Sequence, residues 1–174
     1  DYATNLEIAG CVLEGEPSSE EKRAMRPVST PGARTIEEVV AFLNQDIKRF
    51  VKTLIYDVDG TLYAVCVRGD RDVNATKVQK LLSANQVELA APEDVERATR
   101  APVGFAGPVG LDLPILLDQE ITLLRNFIVG ANADDTHLVD VNLDDLSPYR
   151  VADVRQIQEG DMCENGVGPV HFAR

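Results

Sequence analysis

Nowhere does the sequence hold an apolar run approaching the ~18 residues a membrane helix needs, and no basic stretch followed by an apolar core opens it. The chain therefore reads as cytoplasmic, with no membrane partner. Cysteine is scarce: Cys11, Cys66 and Cys163 are widely separated and odd in number, which offers neither a disulfide framework nor a CxxC metal site and fits reduced thiols. Basic residues are also short, with 17 Lys and Arg against 29 Asp and Glu and a net charge of -12. The deficit deepens along the chain: residues 1 to 100 carry 13 basic against 17 acidic side chains, and residues 101 to 174 carry 4 against 12. Such a domain has little affinity of its own for nucleic acid, because phosphate neutralisation supplies most non-specific binding. No internal repeat or low-complexity tract is present.

At 174 residues, 44% of them hydrophobic, the chain suffices for one packed domain. It opens at Asp1 without a methionine and stops just after Val170, His171 and Phe172, so it is expected to be a piece cut from a longer protein. Residues 1 to 29, with the polar stretch Glu14 to Glu21, read as a flank or linker, and the packed domain is expected from Thr30. Thr35 and Glu38 form a capping box ahead of Ile36, Val39, Val40 and Leu43, predicting a helix over 35–44. Val51 to Tyr56 and Thr61 to Val67 are β-branched, aromatic and apolar, and the Asp59-Gly60 pair between them predicts a hairpin. A helix over 73–82, a strand over 87–89 and a helix opened by Pro92 follow. Beyond the glycine-rich loop Gly104 to Leu111, strands are expected at 115–117, 126–129 and 138–141. The pattern is α/β of the α+β type, a mixed and mostly antiparallel sheet or partial barrel flanked by helices.

Asp57-Val58-Asp59-Gly60-Thr61 matches the DxDGT motif of haloacid-dehalogenase-like phosphatases, in which the first aspartate attacks phosphorus beside a magnesium ion. That fold requires a parallel strand ending at the motif and a helical excursion after it. Here residues 61 to 67 continue directly as a strand, which leaves both aspartates at a hairpin tip.

A second set of segments points elsewhere. Thr30 to Val39, Val51 to Leu54, Val67 to Asp70 with Asn74 and Lys77, Gly104 to Leu111, Leu117-Asp118, Asn126-Phe127 with Gly130 to Asn132, and His137 run in order through the chain. Together they resemble the inserted editing (INS) domain of bacterial prolyl-tRNA synthetase, a relative of the YbaK-like aminoacyl-tRNA deacylases. Asp1 to Glu7 and Val170 to Arg174 are similar to the segments by which the synthetase core leads out and re-enters. The implied division is a flank at 1–29, an editing domain at 30–165 and a return strand at 166–174.

The resemblance implies a YbaK-like fold and cis hydrolysis of the ester in Ala-tRNA(Pro). It also implies the synthetase's catalytic core as partner, a homodimeric parent, and ATP and Mg2+ used by that parent alone, with no cofactor or metal for this domain. Lys52 is implied as essential, holding a terminal phosphate or ribose oxygen or steadying developing negative charge. Gly104, Gly107, Pro108 and Gly110 are implied as a wall whose backbone N–H groups face the ester. His137 is implied to set pocket size, with Thr30 and Val39 at rim or wall. Asp118 is open between ordering a loop, receiving the substrate ammonium and capping a strand end from a buried position. No Ser, Cys or Thr has a visible triad partner, so attack by water is expected, and His171 is expected to be structural. A non-catalytic insertion that stabilises the synthetase or docks tRNA is the alternative.

Overall fold

The structure is a computed structural model that describes residues 10–161 and Pro169. Among the described residues, eight strands form two sheets. They are β1 (Arg26–Ser29), β2 (Val51–Val58), β3 (Thr61–Arg68), β4 (Val87–Leu89), β5 (Ile115–Asp118), β6 (Phe127–Gly130), β7 (Thr136–Val141) and β8 (Tyr149–Ala152). One sheet has the order β4-β2-β3-β5-β8, the other β1-β7-β6. β3 with β5 and β5 with β8 are parallel, and the remaining pairs are antiparallel, giving the mixed α+β architecture expected.

The β2–β3 hairpin is the spine. Asp59 (φ 49°) and Gly60 (φ 89°) form its two-residue turn in the left-handed region, the conformation that matches the twist of the flanking strands. Asp57 accepts from Gly60 N–H at 2.7 Å, and the Asp59 carboxylate accepts from Asn85 and Gln86 N–H at 2.9 and 2.8 Å. The motif aspartates therefore build a turn and pin the neighbouring loop. No parallel strand ends at Asp57, which removes the phosphatase reading.

Alternation along the hairpin feeds two cores. Val51, Ile55, Ala64 and Cys66 face Phe127, Val129 and Val141 of the smaller sheet, while Val58, Val65 and Val67 face Val78 of α2 (Ala75–Leu81). α1 (Ile36–Leu43), capped by Thr35, packs Val39 against Phe50, Ile128 and Val139. α3 (Pro92–Thr99) starts on proline and buries Val95.

Several boundaries differ from expectation. α2 begins at Ala75 because Asn74 is its cap, and β7 begins at Thr136. β1 and β8 were not expected, and β1 falls within the stretch read as flank. Residues 10–29 pack on the body: Cys11 is buried, Ser18 N–H donates to Leu123 O at 2.8 Å, and Glu20 pairs with Arg49 at 3.0 Å. Cys163, His171 and, apart from Pro169, the expected return strand lie outside the described residues.

Candidate functional site

β2 pairs with β3 over its whole length but with β4 only from Tyr56 to Val58. A parallel bridge from Phe50 to Ile128 joins the other end of β2 to β6. Between these two contacts the outer edge of β2 is open, and a cavity of about 460 Å3 occupies the gap. Val39, Val51, Ile55, Val95, Ile128 and Val129 make its apolar walls, and Lys52, Arg34, Gly104 and His137 supply polar groups. Its volume lies in the ~300–1,000 Å3 range of small-molecule sites. Although the chain is strongly acidic, no Asp or Glu among the described residues lines this cavity.

Lys52 is partly exposed, and its ammonium lies 3.3 Å from Asp72, whose side chain is 79% exposed. So open a pair is held weakly, which leaves the cation available to an incoming anion. Arg34 stands 6.0 Å over the Phe105 ring.

His137 is 4% exposed, and its Nδ1 lies 2.6 Å from the hydroxyl of fully buried Thr30. That hydroxyl meets no other acceptor among the described residues, so it donates to Nδ1 and leaves the proton on Nε2. Burial pushes the imidazole down to about 4, so at neutral pH His137 presents an uncharged N–H donor to the cavity. Phe105 fixes the ring edge-on, centroids 5.6 Å apart.

Only part of the glycine-rich loop meets the cavity. Gly104, at φ 102°, and Ala106 line it, and their N–H groups have no acceptor among the described residues. Gly107 does not supply a free donor, because its N–H is given to Asn132 Oδ1 at 2.8 Å. Asn132 Nδ2 in turn donates to the carbonyls of Gly107 and Val109 at 2.8 and 3.0 Å, and Pro108 O accepts from Ser147 N–H at 3.0 Å. Gly110 faces open space. Gly107, Pro108 and Gly110 thus shape the loop from outside the cavity.

Asp118 is also elsewhere. Fully buried at the end of β5, it accepts from Glu120, Val154 and Arg155 N–H and pairs with Arg155 Nη1 at 3.0 Å. Its lone pairs are spent, so of its expected roles the buried strand-end cap is the one its geometry matches. Thr30 stands behind His137 rather than at the rim, and Val39 is in the wall. Cys66 is fully buried with its thiol pushed up to about 12, and burial raises Cys11 to about 11, so neither is a thiolate at neutral pH.

The aminoacyl-tRNA editing domain model matches residues 30–147, a stretch that holds every group of the cavity just described. The chain belongs to the aminoacyl-tRNA editing domain family. This editing domain is 54% identical over 162 residues to a proline--tRNA ligase of Caldicellulosiruptor saccharolyticus, covering 93% of the chain and 28% of that protein. To the proline--tRNA ligase of Moorella thermoacetica it is 43% identical, covering the whole chain and 31% of the relative. The chain thus spans under a third of the length of the curated relatives it matches. Among solved structures, a hypothetical protein 28% identical superposes with a TM-score of 0.67, over 76% of this chain and 91% of that one. A candidate trans-editing enzyme for prolyl tRNA synthetase, 22% identical, superposes at 0.66 over 75% and 86%, which supports the fold.

Among the lining residues that the sequence reading did not single out are Arg34 and Thr53. Arg34 sits in the segment that carried the resemblance but carries no motif of its own, and Thr53 follows Lys52 without any signal in side-chain type.

Proposed function

We propose that this domain hydrolyses the ester of alanine mischarged onto tRNA(Pro), in cis, within a synthetase that ligates proline to tRNA(Pro) with ATP. The observation that carries the reading is the cavity lining: Lys52, Arg34 and Gly104, whose N–H has no acceptor among the described residues, with no described carboxylate, in an otherwise acidic protein. A cationic pocket suits the phosphate-bearing acceptor end of tRNA, and the synthetase supplies the remaining tRNA affinity.

The need for such a site follows from size. A pocket built for proline rejects the smaller alanine by only ~1–3 kcal/mol, so a second site that admits alanine corrects the error. Lys52 holds the terminal phosphate or ribose oxygens, and the Gly104 and Ala106 N–H groups steady the oxyanion that forms as water attacks the ester. His137, neutral and donating through Nε2, bounds the space beside the reacting carbon and is not the base. The substrate's free ribose hydroxyl assists the attacking water, and the protein contributes chiefly by positioning. Water is the nucleophile, no covalent intermediate forms, and neither metal nor cofactor enters the editing step. A dimeric parent in the cytoplasm is the expected setting.

The test is deacylation of alanyl- and prolyl-tRNA by the full-length enzyme with and without Lys52→Ala. Alanyl-tRNA is expected to be lost selectively, and the variant to be slowed ~10-fold or more, the scale of one lost charge-assisted contact to the substrate. Equal rates for variant and parent would refute the role given to Lys52. Its weak pairing with Asp72 predicts under ~1 kcal/mol of lost stability, so lost activity reports chemistry.

A further inference from the structure

The open edge of β2 presents main-chain groups as well as side chains. In an antiparallel pair, alternate residues bond to the partner strand and the residues between them turn their N–H and C=O the other way. Because Asp59-Gly60 is a two-residue turn, Val58 exchanges both bonds with Thr61, and Tyr56, Leu54 and Lys52 repeat that with Tyr63, Val65 and Val67. Ile55 and Thr53 therefore direct theirs outward. Ile55 confirms the parity, since its carbonyl accepts from Ala90 N–H at 2.9 Å on the far side. Thr53 has no such neighbour among the described residues: β4 has ended, the bridge to Ile128 lies back at Phe50, and Thr53 lines the cavity. Its hydroxyl is occupied 3.3 Å from Cys66 Sγ, so it is the main chain that Thr53 offers.

We propose that Thr53 binds the amino-acid part of the substrate as a strand binds one residue of a partner strand. Its carbonyl accepts from the α-ammonium, and its N–H donates to the ester carbonyl. Two residues that face each other in an antiparallel ladder exchange this same pair of bonds, so one outward-facing strand residue complements one α-amino ester. No carboxylate among the described residues lines the cavity, so a carbonyl is the acceptor it offers to the ammonium. Opposed residues in a ladder also place their side chains on one face. The substrate side chain would then lie beside that of Thr53, between the buried Val51 and Ile55. Recognition of an α-amino acid thus comes from the strand edge, and recognition of its size from the walls.

The inference rests on the editing reading, and a binding measurement separates the two. The probes are 3′-alanylamido-3′-deoxyadenosine, which cannot be hydrolysed as an ester, and its lactylamido analogue, in which hydroxyl replaces the ammonium. In 1H–15N spectra of the whole chain, the alanyl probe is expected to shift the Thr53 amide downfield. The lactyl probe should bind about tenfold more weakly, the worth of one charge-assisted hydrogen bond. A Thr53 amide unmoved at saturation, or equal affinity for both probes, overturns the proposal. In a second arm, threonine at 53 is replaced by its α-hydroxy analogue, which turns the amide N–H into an ester oxygen. No β3 bond is lost, and alanyl-tRNA deacylation should fall about tenfold with the fold intact. An unchanged rate also overturns the proposal. Failure of the unsubstituted protein to deacylate alanyl-tRNA would sink the editing reading, while the amide shift would still decide the strand-edge contact.

Discussion

His137 shows how one buried side chain can look catalytic and be poised for something else. An imidazole held down to about 4 by burial is neutral throughout the physiological range, so its ionisation cannot shape deacylation between pH 5 and 8. It does shape stability. In the unfolded chain the ring takes up a proton near pH ~6.5, whereas the folded ring resists until about 4. Below ~6.5 the unfolded state therefore binds more protons, and stability is lost as pH falls through that window. The loss grows to at most about 3 kcal/mol near pH 4. Urea unfolding at pH 7 and pH 4.5 is expected to show this drop, and His137→Gln is expected to shrink it. A pH dependence identical in the variant would place the titrating group elsewhere.

At the scale of elements, the loop carrying Gly104 is held by contacts that only glycine permits. A Cβ on Gly107 would sit 1.8 Å from the carbonyl oxygen of Gly130, and one on Gly130 would sit 2.4 Å from that of Ala106. The loop and the end of β6 are thus packed backbone to backbone, with Asn132 stapling the far side. Gly107→Ala is expected to cost ~2 kcal/mol or more, in the range of overpacked cores, and to impair deacylation by moving Gly104 and Ala106. Gly110→Ala meets no neighbour and pays only for φ 67°, about 1 kcal/mol, so it should leave deacylation near the parental rate. Melting temperatures and alanyl-tRNA rates of the two variants should separate in that order.

The elements differ in how far their sequence announced them. β2 and β3 were legible because β-branched runs flank an Asp-Gly turn, and α1 because Thr35 and Glu38 mark its start. β1 and β8 were not, for a physical reason: both are edge strands with mostly exposed residues, so the alternation that betrays a half-buried strand is missing. Of the site, Lys52, Gly104, Val39 and His137 were named by resemblance, and the structure brings them together. Which loop glycine keeps its N–H free was not legible, because that depends on Asn132, 25 residues further along. Thr53 was invisible for a different reason, since its contribution is main-chain geometry set by where β4 stops.

Across the whole molecule, charge is segregated. Among the described residues the cavity has cations without carboxylates, while the β5 end of the larger sheet holds a dense ionic cluster. There Asp118 and Arg155 are 0% and 2% exposed, and Arg71 bridges Glu120 at 2.9 Å and Asp161 at 3.0 Å. Arg155 Nη2 donates to Val12 O at 3.2 Å, and Lys77 bonds Asp153 at 3.0 Å beside Cys11, so the cluster ties residues 11–12 to residues 153–155. Asp118 accordingly matters to folding and to the path of the chain, with no direct part in the ester chemistry. Asp118→Ala would take from buried Arg155 its nearest carboxylate and strand three backbone N–H groups, those of Glu120, Val154 and Arg155. The expected cost is ~3–5 kcal/mol, measured as a lowered urea midpoint. Where the variant remains folded, its alanyl-tRNA deacylation rate should stay within about twofold of the parent, since additivity holds for sites that share no partners. A rate collapse in folded Asp118→Ala protein would instead couple the ionic cluster to the cavity, through β5 and β3 to the open edge of β2.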